Sequence, residues 1–394
     1  MRTIMQTGWS LLIIMILLSC RKTEFADIPN PAYIRVFNCL DKSVTLDNKD
    51  APQPFLVMLI DPEFDSEGTP VSASVTGDFL DVRDAWARPY PDAGNTSVYQ
   101  KEYPGAAKVV PAPFLNGYDL SSWAQITSGK RRIVFYARPL NTTSFFDLDK
   151  GLRRYKLLDT VINLREKEVY TMHFLEKDYL TRANMLYVRN ENFVKQPLSD
   201  SLVYVNFYNL SSDGYYEHGP NKRSGELDAY KLVDTANVYL TLRKQPNAAT
   251  ADATIAIPGF TALPFGNMMR SLDGKVTRYY DFPLYADTSS NRIFPGNTAQ
   301  FFEFYKPGLT PGNAPVGNQN IRGNYLGLLV GPTTGRGGNE HSLPVMADIR
   351  SGLIVTERSG IYNPRYFATV NTVEYINTRI YITTIQRKFA PPVY

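Results

Sequence analysis

The sequence predicts an all-β protein built as two tandem antiparallel sandwich domains behind an N-terminal export segment. Three observations carry this expectation. Several short segments alternate apolar and polar residues with period two, the mark of a half-buried strand. Strand-favouring aromatics are abundant, at 26 Tyr and 21 Phe, and 27 Pro and 26 Gly punctuate them with turn signals. The opening strand also recurs once in the second half of the chain.

The chain begins with an export segment. Met1 to Thr7, carrying only Arg2, leads into the apolar run Trp9–Leu18, which is shorter than the ~20 residues a bilayer crossing needs. The run ends in Leu17-Leu18-Ser19-Cys20, which resembles the bacterial lipobox: an aliphatic residue, a small residue for the peptidase pocket, and a sulfur that accepts diacylglycerol. The expectation is a signal peptide over 1–19, acylation at Cys20, and a tether over 20–30. Two or three acyl chains would make the membrane attachment durable, since each buried methylene contributes ~0.8 kcal/mol. Arg21 stands where an Asp would resemble the inner-membrane retention signal, so outer-membrane delivery is expected. Only Glu24 and Asp27 come after it before the first strand, and the periplasmic and surface faces both stay open.

The first domain is expected over 31–185 and the second over 199–394, with a polar boundary near Asp178–Ser199. Tyr33-Ile34-Arg35-Val36-Phe37-Asn38 aligns with Tyr204-Val205-Asn206-Phe207-Tyr208-Asn209, and the alignment preserves both strand faces. Gly129–Tyr136 resembles Gly296–Tyr305, which carries two extra residues. Val169–Phe174, Val238–Arg243 and Ile380–Ile385 alternate as half-buried strands. Phe55–Ile60 and Leu326–Val330 are continuous apolar runs that fit strands covered on both faces. Asp61–Ser128 and Lys306–Arg322, rich in Pro and Gly, are expected as elaborated loops.

In this order the strands Ile34–Asn38, Arg132–Tyr136 behind Gly129, and Asp159–Leu164 with Val169-Tyr170-Thr171 resemble an uncharacterised domain of Bacteroidota lipoproteins. That family strings an IRVxN strand, a GxYxVxxY strand and a tLxxGxxYTL hairpin on an immunoglobulin-like sandwich. Leu263-Pro264-Phe265-Gly266 resembles the family's lPFG corner. Glu166-Lys167 replaces the usual Gly of the last hairpin, and the resemblance is fair over 31–178 and weak beyond residue 178. It implies fold and cellular address, not catalytic chemistry. Asp159-Thr160-Val161, Asp200-Ser201-Leu202 and Asp234-Thr235-Ala236 resemble the permissive O-glycosylation site of the same bacteria.

Composition excludes several functions. Removing 1–19 takes only Arg2 from 42 basic residues, leaving 41 against 38 acidic ones, a net of +3. Counterion release on nucleic acid needs clustered Lys and Arg, so no nucleic-acid partner is expected. Of the two cysteines, Cys20 is committed to lipid, and Cys39 reads as a buried inert thiol. The three histidines, His173, His218 and His341, have no metal spacing, and neither a metal nor a cofactor is expected. No Gly-x-Ser-x-Gly elbow or phosphate loop occurs.

Asp61, Glu63, Asp65 and Glu67 alternate in a way that could serve Ca²⁺ or a glycosidase acid–base pair, with a solvated acidic loop as the plainer alternative. Asp147–Gly151 only begins a calcium-loop pattern. Sugars stack on exposed flat rings, which makes Trp86, Trp123, Tyr215 and Tyr216, and also Tyr279-Tyr280, candidate ligand-binding residues; core packing is the alternative for each. The expected role is a non-catalytic envelope lipoprotein that binds a glycan or protein partner through long loops. A hydrolase using the loop carboxylates and a purely structural envelope protein are the other readings.

Overall fold

The structure, a computed structural model, describes residues 28–40, 53–83, 101–105, 107–199, 201–218, 234–244, 255–283, 285–288, 292–293, 298–305, 307–308, 310, 325–330, 369–377 and 379–386. The export segment, Cys20, Trp86 and His341 lie outside these residues. The earlier part of the chain supplies β1 (Pro31–Asn38), β2 (Gln53–Phe64), β3 (Pro70–Leu80), β4 (Phe114–Leu115) and β5 (Tyr118–Asp119). It continues with β6 (Ala124–Thr127), β7 (Gly129–Arg138), β8 (Lys156–Leu164), β9 (Val169–Glu176) and β10 (Asn184–Glu191). The later part supplies β11 (Leu202–Asn209), β12 (Thr235–Lys244), β13 (Ile255–Ala256), β14 (Leu263–Met269) and β15 (Tyr280–Pro283). Then come β16 (Ala286–Asp287), β17 (Arg292–Ile293), β18 (Thr298–Tyr305), β19 (Tyr325–Val330), β20 (Thr369–Ile376) and β21 (Arg379–Gln386). The fold is all-β, and the helical pieces among the described residues are single turns.

One pairing scheme occurs twice. The earlier half forms an inner sheet β10-β9-β1-β6 and an outer sheet β3-β2-β7-β8; the later half forms β21-β20-β11-β15 and β14-β12-β18-β19, with β13 also on β12. Position by position the orders match, so the aligned openings are β1 and β11, and the aligned Gly-headed segments are β7 and β18. Both inner sheets depart from a wholly antiparallel expectation: β1 runs parallel to β9, and β11 parallel to β20. The opening strand is inserted beside a strand that the chain reaches only after building the outer sheet, and such a crossover leaves the two strands parallel.

Each half has its own core between inner and outer sheet. Ile34, Val36, Met58, Ile133, Phe135 and Met172 fill the first, and Val205, Phe207, Leu240, Phe302 and Val373 fill the second. Val238, Leu240 and Leu242 all point into the second core, as their alternation requires. The run Phe55–Ile60 is covered on both faces: Val57 and Leu59 lie beneath Phe145 and Leu148 on the outside, while Met58 and Ile60 face the inner sheet.

Two segments depart from their reading as loop or boundary. β2 extends through Phe64 and pairs with β3, placing a long hairpin where an elaborated loop is expected. The polar stretch after 178 contains β10, which pairs with β9 along its whole length. Its charged and amide side chains hide the strand from an apolar count.

The largest departure concerns β9. Val169–Phe174 reads as half-buried, yet all eight positions of Val169–Glu176 are buried. The two inner sheets stack face to face and cover each other. Tyr33, Trp123, Val169, Phe193, Tyr204, Val370 and Ile385 form one interlayer cluster; Phe37, Cys39, Leu175, Tyr187, Tyr208, Ile376 and Tyr381 form another.

Candidate functional site

The registers show how the inner sheets meet. Tyr33 pairs with Val169 and Tyr204 with Val370, so these are equivalent pairs in the two halves, and all four residues share one cluster. Four pairs further along, Phe37 lies beside His173 and Tyr208 beside Glu374. Tyr187 pairs with His173 and Tyr381 with Glu374, and both tyrosines join the second cluster. Equivalent residues thus face each other along the strands, which relates the halves by an approximate two-fold axis running with the strand direction. It is an isologous interface made within one chain.

His173 and Glu374 occupy equivalent positions on β9 and β20, and they touch: His173 Nε2 lies 3.1 Å from Glu374 Oε2. Arg83, just past β3, donates from Nη1 to the same Oε2 at 2.6 Å and from Nη2 to Thr383 Oγ1 at 2.9 Å. Arg189 on β10 donates from Nη1 to Glu374 Oε1 at 2.7 Å and from Nε to Glu191 Oε1 at 2.8 Å. One carboxylate of the later half therefore holds three groups of the earlier half. All five side chains are 4% exposed or less. Aromatic rings complete the shell: the Arg83 guanidinium lies over Phe37 at 3.9 Å and Tyr381 at 4.5 Å, and Arg189 over Tyr208 at 4.2 Å.

The electrostatics arise from burial and count. Burial would raise the Glu374 carboxyl, but His173 and the guanidiniums of Arg189 and Arg83 outweigh it and hold it well below the usual carboxylate range. Burial pushes His173 down to about 4, and the attraction of Glu374 only partly offsets that. His173 Nε2 lies 3.1 Å from Glu374 Oε2 and 3.2 Å from Arg83 Nη1. The carboxylate, an acceptor only and the nearer of the two, assigns the proton of the neutral ring to Nε2. That leaves Nδ1 as a buried lone pair with no hydrogen-bond partner among the described residues. Protonation would place an N–H there with no acceptor among the described residues. With two guanidiniums, two carboxylates and a neutral imidazole, the cluster carries no net charge.

Close by, Arg35 Nε donates to Glu102 Oε2 at 2.9 Å, and its guanidinium lies 5.4 Å from the Trp123 ring. At the rim, Ser212 Oγ donates to the Glu176 carbonyl at 2.8 Å, Ser212 N donates to Asn377 Oδ1 at 2.9 Å, and Tyr279 Oη donates to Asn192 at 3.1 Å. Gly274, with φ +74°, lies so near β10 that a Cβ on it would sit 2.5 Å from the Val188 carbonyl oxygen.

The sequence-predicted aromatic site is not assembled by the described residues. Trp123 is 1% exposed and packs on Phe193 between the inner sheets. Tyr215 and Tyr216, in a single helical turn, are 6% and 7% exposed and belong to the second core. Stacking on a sugar needs an open ring face, and these three rings have been taken up by packing instead. Tyr280 stacks on Phe265, with ring centroids 5.8 Å apart.

The carboxylates are likewise engaged close to home. Asp61 accepts from Arg131 Nη1 and from the Arg132 amide, and Glu63 accepts from Ser72 Oγ. Asp65 accepts from Lys150 Nζ and from the backbone of Thr69 and Glu67, and these bonds, the lysine first, hold it down to about 2. Glu67 pairs with Arg154. Asp147 is exposed in a 3-10 turn, and His218 is exposed at the end of its helical turn. Among the described residues no group of three metal-type ligands converges, and no helix is long and apolar enough to cross a membrane. Cys39 is a thiol 3% exposed, inside the second interlayer cluster.

Sequence reasoning missed Arg83, Arg189, Glu191 and Glu374. The available signal was a charged residue in an otherwise apolar strand, as in Thr372-Val373-Glu374-Tyr375. Extending the repeat to β9 and β20 would have set His173 opposite Glu374. Comparison with protein-family models and with curated proteins found no match.

Proposed function

We propose that this chain is a non-catalytic lipoprotein of the outer membrane, tethered through acylated Cys20, whose body is two immunoglobulin-like sandwich domains docked inner sheet to inner sheet. In this reading the body is a rigid display that binds a glycan or a protein partner through loops at the sandwich ends. The observation that carries the anchor is Leu17-Leu18-Ser19-Cys20 directly after a short apolar run. β1 starts at Pro31, eleven residues beyond Cys20, so an extended tether would hold the body within ~40 Å of the lipid surface.

The non-catalytic assignment is supported by the charged clusters themselves. Glu374, Asp61, Asp65 and Glu67 each neutralise a cation of the fold. A hydrolytic pair needs two carboxyl groups facing a substrate with their ionisation set apart.

Mass spectrometry of the N-terminal peptide of the natively expressed protein tests the anchor. A diacylglyceryl-modified Cys20 is the expected product, and Cys20→Ala should move the protein out of the membrane fraction. An intact Met1 on the mature protein would end the lipoprotein reading. A polysaccharide array and co-purification from envelope extracts test the binding role, and turnover of chromogenic glycosides would replace it with the hydrolase.

A further inference from the structure

We propose that the Glu374 cluster is an acid-sensitive latch: a proton taken up by His173 weakens the joint between the two inner sheets while each half keeps its own core. The geometry for this is a single point of charge convergence. Arg83, Arg189 and His173 reach Glu374 from the earlier half, with Glu191 closing the second ion pair. Among the described residues, the groups around the imidazole come from every element packed against it. Phe37 comes from β1 and Cys39 just after it, and Arg83 lies just past β3. Tyr187, Arg189 and Glu191 come from β10, Tyr208 from β11, Glu374 from β20, and Tyr381 and Thr383 from β21.

Among these, Glu374 and Glu191 are already balanced by Arg83 and Arg189, so an added proton meets no unpaired carboxylate among the described residues. It also creates a buried Nδ1–H where the lone pair now has no partner among the described residues. The two cores are made of separate residue sets, so loosening the joint need not unfold either one.

The sign of the effect is fixed. A histidine held near 4 when buried and near its ordinary 6.5 when hydrated binds more protons in the open joint between those values. The closed joint is therefore fully favoured above about pH 6.5 and loses ground as the pH falls towards 4. Linkage between these two values makes opening roughly fifty-fold more frequent at pH 4.5 than at pH 7.

Cys39, inside the joint, is a built-in reporter. The full chain is labelled with 4,4′-dithiodipyridine, which stays reactive in acid, and the Cys39 peptide is quantified by mass spectrometry. His173→Gln, measured at the same pH values, removes the reagent's own pH dependence. The expected result is a ratio of wild-type to variant labelling that climbs by at least tenfold from pH 7 to pH 4.5. Glu374→Gln, which lacks the latch charge, should label fast at both. A ratio that stays flat across this range overturns the proposal. If His173→Gln does not fold, His173→Asn serves as the reference with the same two outcomes.

Discussion

Removing the carboxylate of Glu374 is the most informative perturbation of this fold. In Glu374→Ala, Arg83 and Arg189 lose the acceptor that joins them, and both guanidiniums remain walled in by aromatic rings. Breaking a buried pair by deleting one partner costs about 3–5 kcal/mol, because the surviving charge is neither hydrated nor neutralised. Unfolding a chain of this length carries an entropy near 0.8 kcal/mol per degree at about 2.1 cal/mol/K per residue, so the melting temperature should fall by roughly 4–6 °C. Glu374→Gln keeps the side-chain volume and one acceptor, and a smaller loss of about 2–3 kcal/mol is expected.

The control is a surface pair of similar geometry. Asp159 accepts from Arg132 at 2.8 and 2.9 Å, but the arginine is 44% exposed, and Asp159→Ala should cost no more than about 1 kcal/mol. Urea unfolding of the mature chain, monitored by tyrosine and tryptophan fluorescence, measures all three. A Glu374→Ala variant within 1 kcal/mol of wild type would refute the claim that this cluster holds the joint. So would an Asp159→Ala variant that loses as much.

Other positions separate packing from binding and strain from clash. Trp123→Ala should cost about 3–5 kcal/mol in urea unfolding, since it empties the space between Phe193 and Arg35; a stable variant with weakened glycan binding would restore the stacking role. Gly274→Ala and Gly68→Ala both force a side chain onto a positive φ, of +74° and +78°, but only the first drives a Cβ into a backbone carbonyl. Gly68→Ala should therefore lose about 1 kcal/mol and Gly274→Ala about 2–3 kcal/mol by the same measurement, with equal losses arguing against the close approach to β10. The Asp65 carboxyl should titrate at about pH 2 in a carbon-detected NMR experiment and move towards its ordinary value in Lys150→Ala, because Lys150 Nζ is its strongest partner.

The strands themselves were legible because one face of each must be apolar. Val238, Leu240 and Leu242 declare their core side, and Phe55–Ile60 declares cover on both sides. The stacking of the inner sheets was not legible, because their second faces mix apolar clusters with buried charged and amide side chains. Arg35, Thr171, His173, Arg189, Asn206 and Glu374 are all 4% exposed or less. Pattern reading assigns such residues to water, and the charges become tolerable inside only because each finds its partner on another strand far away in sequence. The same blindness left Trp123, Tyr215 and Tyr216 open between ligand stacking and core packing, and the fold buries all three. A ring flanked by serine, glycine and acidic residues reads as loop, although the chain folds it inward.

The approximate two-fold axis makes one further demand. Core-facing positions of the repeat stay apolar in both halves, as in Ile34 with Val205 and Val36 with Phe207. Positions on the joint diverge: Arg35 answers to Asn206, Arg189 to Thr383 and His173 to Glu374. Two identical chains would bring identical residues together at such an axis, imidazole on imidazole or carboxylate on carboxylate. A single chain carrying both copies can set unlike residues there.

If that is why these two differ, their side chains should be exchangeable. His173→Glu alone puts a second carboxylate about 3 Å from Glu374, and Glu374→His alone leaves the later half with no acid for Arg83 and Arg189. Each single variant should lose several kcal/mol, as buried unbalanced charges do. In the double variant the carboxylate moves across the axis by one hydrogen-bond length and stays within reach of both arginines. It should then be more stable than the sum of the singles predicts by at least about 1 kcal/mol, well above the additivity error of independent sites. A double variant whose loss equals that sum would mean that 173 and 374 touch without being related by the axis.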